Sequence, residues 1–254
     1  MTPMTAAPGL TPPEIVYPFC DGKPLAQSIE QLRWITLLYG NLDSMFRDRA
    51  DVFVGGDNFW YPVEGEPDIV FAPDVYVVFG RPKGDRASYK QWLEGDIPLT
   101  VVFEVLSPAN TTEEMVKKFD FYDHYGVEEY YVYDPDHNKL QIYTRGMATL
   151  RLHRDIAQFV SPRLGIRFEM TKPEMTVYKP NGVRFRSVGE LDVLIEEEKG
   201  RADEAKRQAD EARHQAEAAS RFNVRLKELS RKARRGQATP DEIAELERLE
   251  DESL

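Results

Sequence analysis

The run Thr100-Val101-Val102-Phe103-Glu104-Val105-Leu106-Ser107-Pro108 carries one carboxylate in the middle of what otherwise reads as a buried strand over residues 99–106. Upstream, residues 26–46 place Ile29, Leu32, Ile35 or Trp34, Leu38 and Leu42 at helical spacing, which predicts an amphipathic helix that Gly40-Asn41 would kink or end. Between 51 and 79, short β-rich runs alternate with turns: DVFVGG, DNFWYPV and IVFAPDVYVVF. Arg81 to Asp96 reads as a polar connection. After the apolar strand, Thr111-x-x-Glu114 fits a capping box and Gly126 fits a helix stop, so a helix lies between them. EEYYVYD and KLQIYT, parted by Pro135-Asp136-His137-Asn138, predict a hairpin, and more short strands follow to about residue 185. The order of helix, strands, helix and strands predicts an α/β fold with a mixed sheet flanked by helices.

From Leu191 the pattern changes to Glu, Lys, Arg and Ala. Leu191, Ile195, Glu198, Ala202, Ala205, Ala209, Ala212, Ala216, Ala219, Asn223 and Leu226 step by fours and threes, the spacing of a coiled-coil seam. Alanine buries little, so the seam is weak. A lone solvated helix and self-association into a homo-oligomer through this helix both fit. Ser220 to Arg235 is basic, a candidate nucleic-acid contact or a solvated face. Gly236 to Pro240 breaks the helix, and an acidic helix follows. The chain thus divides into a proline-interrupted, flexible arm (1–24), a globular domain (25–188) and a charged, Ala-rich helical tail (189–254).

Composition narrows the partners. A net charge of −11 argues against coating nucleic acid by bulk electrostatics, but leaves room for a local basic groove and for a carboxylate site that holds metal. The single cysteine, Cys20, allows no internal disulfide and no CxxC zinc site. No apolar run reaches the length of a membrane span and no secretory signal is visible, so a soluble, cytoplasmic protein is expected. The histidines at 124, 137, 153 and 214 lack HExxH spacing, which gives no support to a zinc hydrolase or a serine triad.

The chemistry therefore centres on Glu104. An ionised carboxylate withdrawn from water costs several kcal/mol unless a cation or strong donors face it. Strand alternation puts Val102, Glu104 and Leu106 on one side and Val101, Phe103 and Val105 on the other. A metal ion would require a second carboxylate nearby, and Asp74, after Pro73 and before Val75-Tyr76-Val77-Val78-Phe79, is the best placed. For an isolated Pro-Asp a turn role is the better reading of Asp74, as the second such dipeptide, Pro67-Asp68, shows. A lysine partner would come from the following helix. With Met115, Phe119 and Tyr122 defining its buried face, Lys118 lies about 65° from the centre of that face and Lys117 about 165° away, so Lys118 can reach inward. Asp, Glu and Lys together suit phosphodiester hydrolysis with Mg²⁺. Spacing alone favours the structural alternative, a strand glutamate neutralised by a helix lysine.

The ordered set Ala72-Pro73-Asp74-Val75, Glu104-Val105-Leu106-Ser107-Pro108, Glu114, Lys118, Tyr122, Tyr125-Gly126-Val127-Glu128-Glu129-Tyr130 and Asp134-Pro135 resembles the Uma family of restriction endonucleases, a branch of the PD-(D/E)XK nucleases. The resemblance covers residues 25–180. It implies a restriction-endonuclease-like core, Mg²⁺ as cofactor (with Mn²⁺ as substitute) and DNA as substrate, with Asp74 and Glu104 as metal ligands. The superfamily's usual lysine would stand at Leu106, where it is absent; in this branch it moves to the next helix, which selects Lys118 as the third catalytic residue. The family usually has aspartate where this chain has Glu114.

Three further residues are weighed for the site. Glu30 can face it or be a solvated helical glutamate, Lys90 can contact phosphate or be a loop lysine, and Ser107 fits a turn cap better than a nucleophile. Two functions follow as expectations: a Mg²⁺-dependent DNA endonuclease, or a catalytically inactive DNA-binding or assembly module that keeps the nuclease fold.

Overall fold

A computed structural model describes residues 15–18 and 28–251, which form two compact units divided between Val188 and Gly189. The first unit is built on a six-stranded mixed sheet. Its elements in chain order are α1 (Ile29–Met45), β1 (Val52–Gly55), β2 (Phe59–Tyr61), β3 (Val75–Phe79), β4 (Ser88–Lys90), β5 (Val101–Val105), α2 (Thr112–His124), β6 (Glu129–Asp134), β7 (Lys139–Arg145), β8 (Leu150–Leu152), β9 (Arg167–Glu169) and β10 (Thr176–Tyr178). The main sheet runs β1-β3-β5-β6-β7-β8, and β2 with β4 and β9 with β10 form separate two-stranded pairs. Only β5 and β6 are parallel within the main sheet. A parallel pair needs a crossover, and α2 supplies it.

The two helices cover opposite faces. Trp34, Leu38 and Leu42 of α1 pack with Val75, Val77, Val101, Phe103 and Val105, while Tyr122 of α2 packs with Tyr76, Val102, Tyr130 and Val132. Every residue of β5 is buried, as a strand covered on both faces requires. The alternation of β5 therefore sorts its side chains as the sequence predicts. α1 begins at Ile29 behind a Ser28 cap and runs through Gly40-Asn41 without ending. Asn41 is held there because its side-chain amide donates to the Leu37 and Arg186 carbonyls and its oxygen accepts from the Arg186 N–H. Trp34 occupies the buried position that Ile35 would share, whereas Ile29 is 89% exposed and Leu32 is also exposed.

α2 starts as expected, with the Thr111 hydroxyl accepting from the Glu114 N–H at 3.2 Å. The second half of the capping box is replaced, since the Glu114 carboxylate takes the Asn110 side-chain amide at 3.2 and 3.3 Å. Gly126, at φ +90°, makes the turn after the helix. The connection 81–96 holds the unpredicted strand β4, paired in parallel with β2. A three-residue strand in a polar stretch leaves no periodicity to read. Of the predicted arm only residues 15–18 are described, and there Tyr17 packs on Tyr61 and Trp92; Cys20 lies outside the described residues.

The second unit contains the rest of α3 (Val188–Arg234), followed by α4 (Pro240–Asp251). Arg225 pairs with Glu245 and Lys232 with Glu242, and Leu229 is fully buried. The predicted break at Gly236 is a left-handed turn residue, φ +66°. No described helix is long and apolar enough to cross a membrane.

Where β1 leaves the sheet beside Asp74, Gly56 is required for its lack of a side chain: a Cβ there would stand 2.6 Å from the Asp74 carbonyl oxygen. Gly56→Ala is expected to destabilise the protein by about 1–3 kcal/mol, the cost of overpacking a close contact. Urea unfolding measures it; an unchanged midpoint would show that β1 can give way freely.

Candidate functional site

The β3–β5 register pairs Val75 with Phe103, so one residue further on Asp74 stands opposite Glu104, and opposed residues share a face. That face is the one α2 covers. Glu104 is only 2% exposed, and both its oxygens have donors: Oε2 accepts from Lys118 Nζ at 2.8 Å and Oε1 from the Tyr122 hydroxyl at 2.6 Å. Lys118 is 8% exposed and Asp74 9% exposed. Lys117 instead points outward and pairs with Glu113, as the helix geometry predicts. Asp74 Oδ2 accepts the Val105 backbone N–H at 2.7 Å, which ties the start of β3 to the end of β5. Sequence reasoning thus selects three residues that the fold brings to one buried place.

The charges are unbalanced. Two carboxylates share one ammonium, and the Asp74 carboxyl is pushed up to about 8, first by burial and then by the charge of Glu104, against the pull of the Val105 N–H and Lys118. Burial alone would lower the Lys118 ammonium, but the charge and hydrogen bond of Glu104, helped by Asp74 and Glu114, outweigh it and leave it above the ordinary lysine value. Lys118 therefore stays cationic. Burial, followed by the Glu104 charge, holds the Tyr122 phenol well above its usual value, so it remains a donor. Glu129 shows how a buried carboxylate is satisfied without a cation. It is 1% exposed and accepts from the Tyr131 hydroxyl at 2.7 Å, the Ser161 hydroxyl at 2.5 Å and the Arg163 N–H at 2.6 Å.

Other candidates fall elsewhere or at the margin. Glu114 Oε1 lies 3.9 Å from Lys118 Nζ while bonding Asn110, so it borders the site. Glu30 is engaged by Arg33 and by the Trp34 indole at 2.9 Å, and is not brought to Glu104. Lys90 sits over the Tyr17 ring. Ser107 donates its backbone N–H and its hydroxyl to Asn110 Oδ1, a turn role. The residue from α1 that does reach the site strand is Gln31, whose amide donates to the Val105 carbonyl at 2.8 Å. It was missed because a helical glutamine beside charged neighbours carries no signal of burial. Tyr122 was read as buried, but its bond to Glu104 was not foreseen.

Among the described residues, no group of three or more His, Cys, Asp or Glu side chains is placed to hold a metal ion. The donor set is two carboxylates on opposed residues of a strand pair. That set fits a hard cation such as Mg²⁺, which usually takes one or two carboxylates and keeps several waters.

These features define an α/β protein whose mixed sheet carries an acidic pair and a buried lysine beside its crossover helix. The family model described as "Putative restriction endonuclease", Uma2, matches residues 6–183, and the chain belongs to that family. Among solved structures, one titled "putative nuclease belonging to DUF820" from Anabaena variabilis ATCC 29413 is similar at 15% identity and a TM-score of 0.42, over 56% of this chain and 79% of that one. Comparison with curated proteins finds no match.

The raised Asp74 value has a stability consequence. Because the folded value of about 8 exceeds the ordinary aspartate value of 3.8, the folded state holds an extra proton between them, and stability falls as pH rises from about 4 toward about 8. In chelator, Asp74→Asn is expected to flatten this fall and to be the more stable form at pH 8 by roughly 1–3 kcal/mol. Urea unfolding at pH 5 and pH 8 tests it, and equal pH slopes for the two proteins would refute it.

Proposed function

We propose that this chain is a Mg²⁺-dependent endonuclease that hydrolyses DNA phosphodiester bonds, with Mn²⁺ able to substitute. The observation that carries the reading is the apposition of Asp74 and Glu104 on one sheet face with the Lys118 ammonium bonded to Glu104. Membership of a family described as restriction endonucleases supports it. Asp74 and Glu104 would hold the ion. When bound, the ion supplies a lowered pKa for its water and polarises a phosphoryl oxygen.

The chain's own residues have separate parts. Lys118, kept cationic, orients the attacking water or offsets developing negative charge; it is not the general base. Tyr122 holds Glu104 by its hydroxyl, and Gln31 holds the Val105 carbonyl beside it. Asp74 would give up its proton on holding the ion, since either cation relieves the repulsion from Glu104. Within the same reading, the α3 seam serves self-association.

The second reading is a catalytically inactive DNA-binding or assembly module, and one observation favours it: both Glu104 oxygens are already taken by Lys118 and Tyr122, as in a closed structural pair. Cleavage of single- and double-stranded DNA in Mg²⁺ or Mn²⁺ separates the two. Glu104→Gln and Lys118→Met are each expected to lower the cleavage rate at least about 100-fold. Removing one partner of a buried ion pair also destabilises by about 3–5 kcal/mol, so the double variant, which leaves no unpaired charge, serves as the folded control. Cutting at wild-type rates by the folded double variant would exclude the proposed site. DNA binding without cleavage under either ion would select the inactive module.

A further inference from the structure

Beside the carboxylate site lies a cavity of about 590 Å³ that the reaction above does not use. It is set against the site by the fold itself. Val132, in its wall, is the cross-strand partner of Glu104; Leu106 lies two residues beyond Glu104; and Phe119 directly follows Lys118. The walls come from the turn after β5, from α2, and from β6 and β7.

Three features specify an occupant. The first is aromatic. Phe119, Tyr130 and Tyr143 all line the cavity and contact one another, Phe119 and Tyr143 with ring centroids 5.1 Å apart and Tyr130 stacked on Tyr143 at 5.7 Å. The second is an unmet polar group. The Tyr130 hydroxyl is buried and is the side-chain group left without a hydrogen-bond partner among the described residues. Most buried hydroxyls in native proteins have partners, and a ligand acceptor that parts the ring cluster to reach this one would complete it. The third is charge. Asp134 and Asp136 line the opening together with His137, whose Nδ1 lies 2.8 Å from Asp134 Oδ2, and Glu113 and Glu114 occupy the adjacent first turn of α2, so carboxylates outnumber the one imidazole. Such a rim repels phosphate and attracts N–H donors.

An uncharged planar heteroaromatic ring with acceptors on one edge and an amino group on another meets all three demands. We propose that this cavity takes one unpaired nucleobase of the nucleic-acid substrate, of the amino-bearing kind (adenine, cytosine or guanine), leaving its phosphate outside. The proposal rests on the nucleic-acid reading of the neighbouring site. It also gives that site a means of choosing where to act: the base must leave its stack to enter the cavity, so flexible, mismatched or single-stranded positions are preferred.

The test separates the cavity from the chemistry by working in chelator. The full chain is titrated with free deoxyadenosine, deoxycytidine, deoxyguanosine and thymidine, and with the corresponding 5′-monophosphates, by calorimetry. Saturable binding of the amino-bearing nucleosides at least 10-fold tighter than thymidine, with no gain from the phosphate, is expected. Tyr143→Ala should weaken that binding at least 10-fold, while Tyr143→Phe, which keeps the ring, should retain it; circular dichroism confirms that both fold. Equal binding of thymidine, a requirement for the phosphate, or unchanged binding by folded Tyr143→Ala would overturn the proposal. Nucleoside binding by a protein that never cuts DNA would uphold the cavity and remove the endonuclease reading. Cleavage by a protein that binds no nucleoside would do the reverse.

Discussion

The Glu104–Lys118 ion pair joins the central strand to the crossover helix, and the first unit is arranged around it. A carboxylate this deeply buried is tolerable only because an ammonium and a phenol face its two oxygens. Both donors come from α2, four residues apart, hence from one helix face. The pair therefore fixes the rotation of α2 over the sheet as well as its position. The same rotation directs Lys117 to solvent and Phe119 into the wall of the adjoining cavity.

Asp74 gives this arrangement a charge that the ion pair does not balance. A neutral pair of Glu104 and Lys118 would be complete by itself, as Glu129 is complete with its three donors. The β3–β5 register instead adds a second carboxylate on the same face, held in place by the Val105 N–H and by the space that Gly56 leaves. The excess negative charge is met by a proton in the free protein, which is the physical meaning of the raised Asp74 value. An excess of this kind is what a cation site requires before its cation arrives.

The sequence carried much of this, unevenly. Glu104 announced itself as a charge in an apolar strand, and 3.6-residue periodicity separated Lys118 from Lys117 without any knowledge of the sheet. Asp74 could be offered only as a candidate, a turn residue sooner than a ligand, because its meaning depends on a register between strands some 30 residues apart; the family resemblance favoured the ligand. Gln31 and Glu129 were invisible, since burial of a polar side chain is decided by partners distant in sequence. Glu30 could be read either as facing the site or as a solvated helical glutamate, and Arg33 and Trp34 hold it away from Glu104. Ile29 and Leu32 were assigned to the core from hydrophobicity and are exposed, while Trp34, Leu38 and Leu42 do the packing.

The order of strands in the sheet also bears on how the site is assembled in time. Glu104 and Lys118 are 14 residues apart within one β5–α2–β6 unit, whereas Asp74 and Val105 are 31 apart and lie on different supersecondary pieces. The longer closure costs about 0.7 kcal/mol more in chain entropy, and the local crossover unit is the better nucleus. By closure entropy the ion pair is expected to form before β3 docks. In that order Asp74 meets a glutamate already paired with lysine, and the repulsion between the two carboxylates burdens the completed protein and spares the folding nucleus.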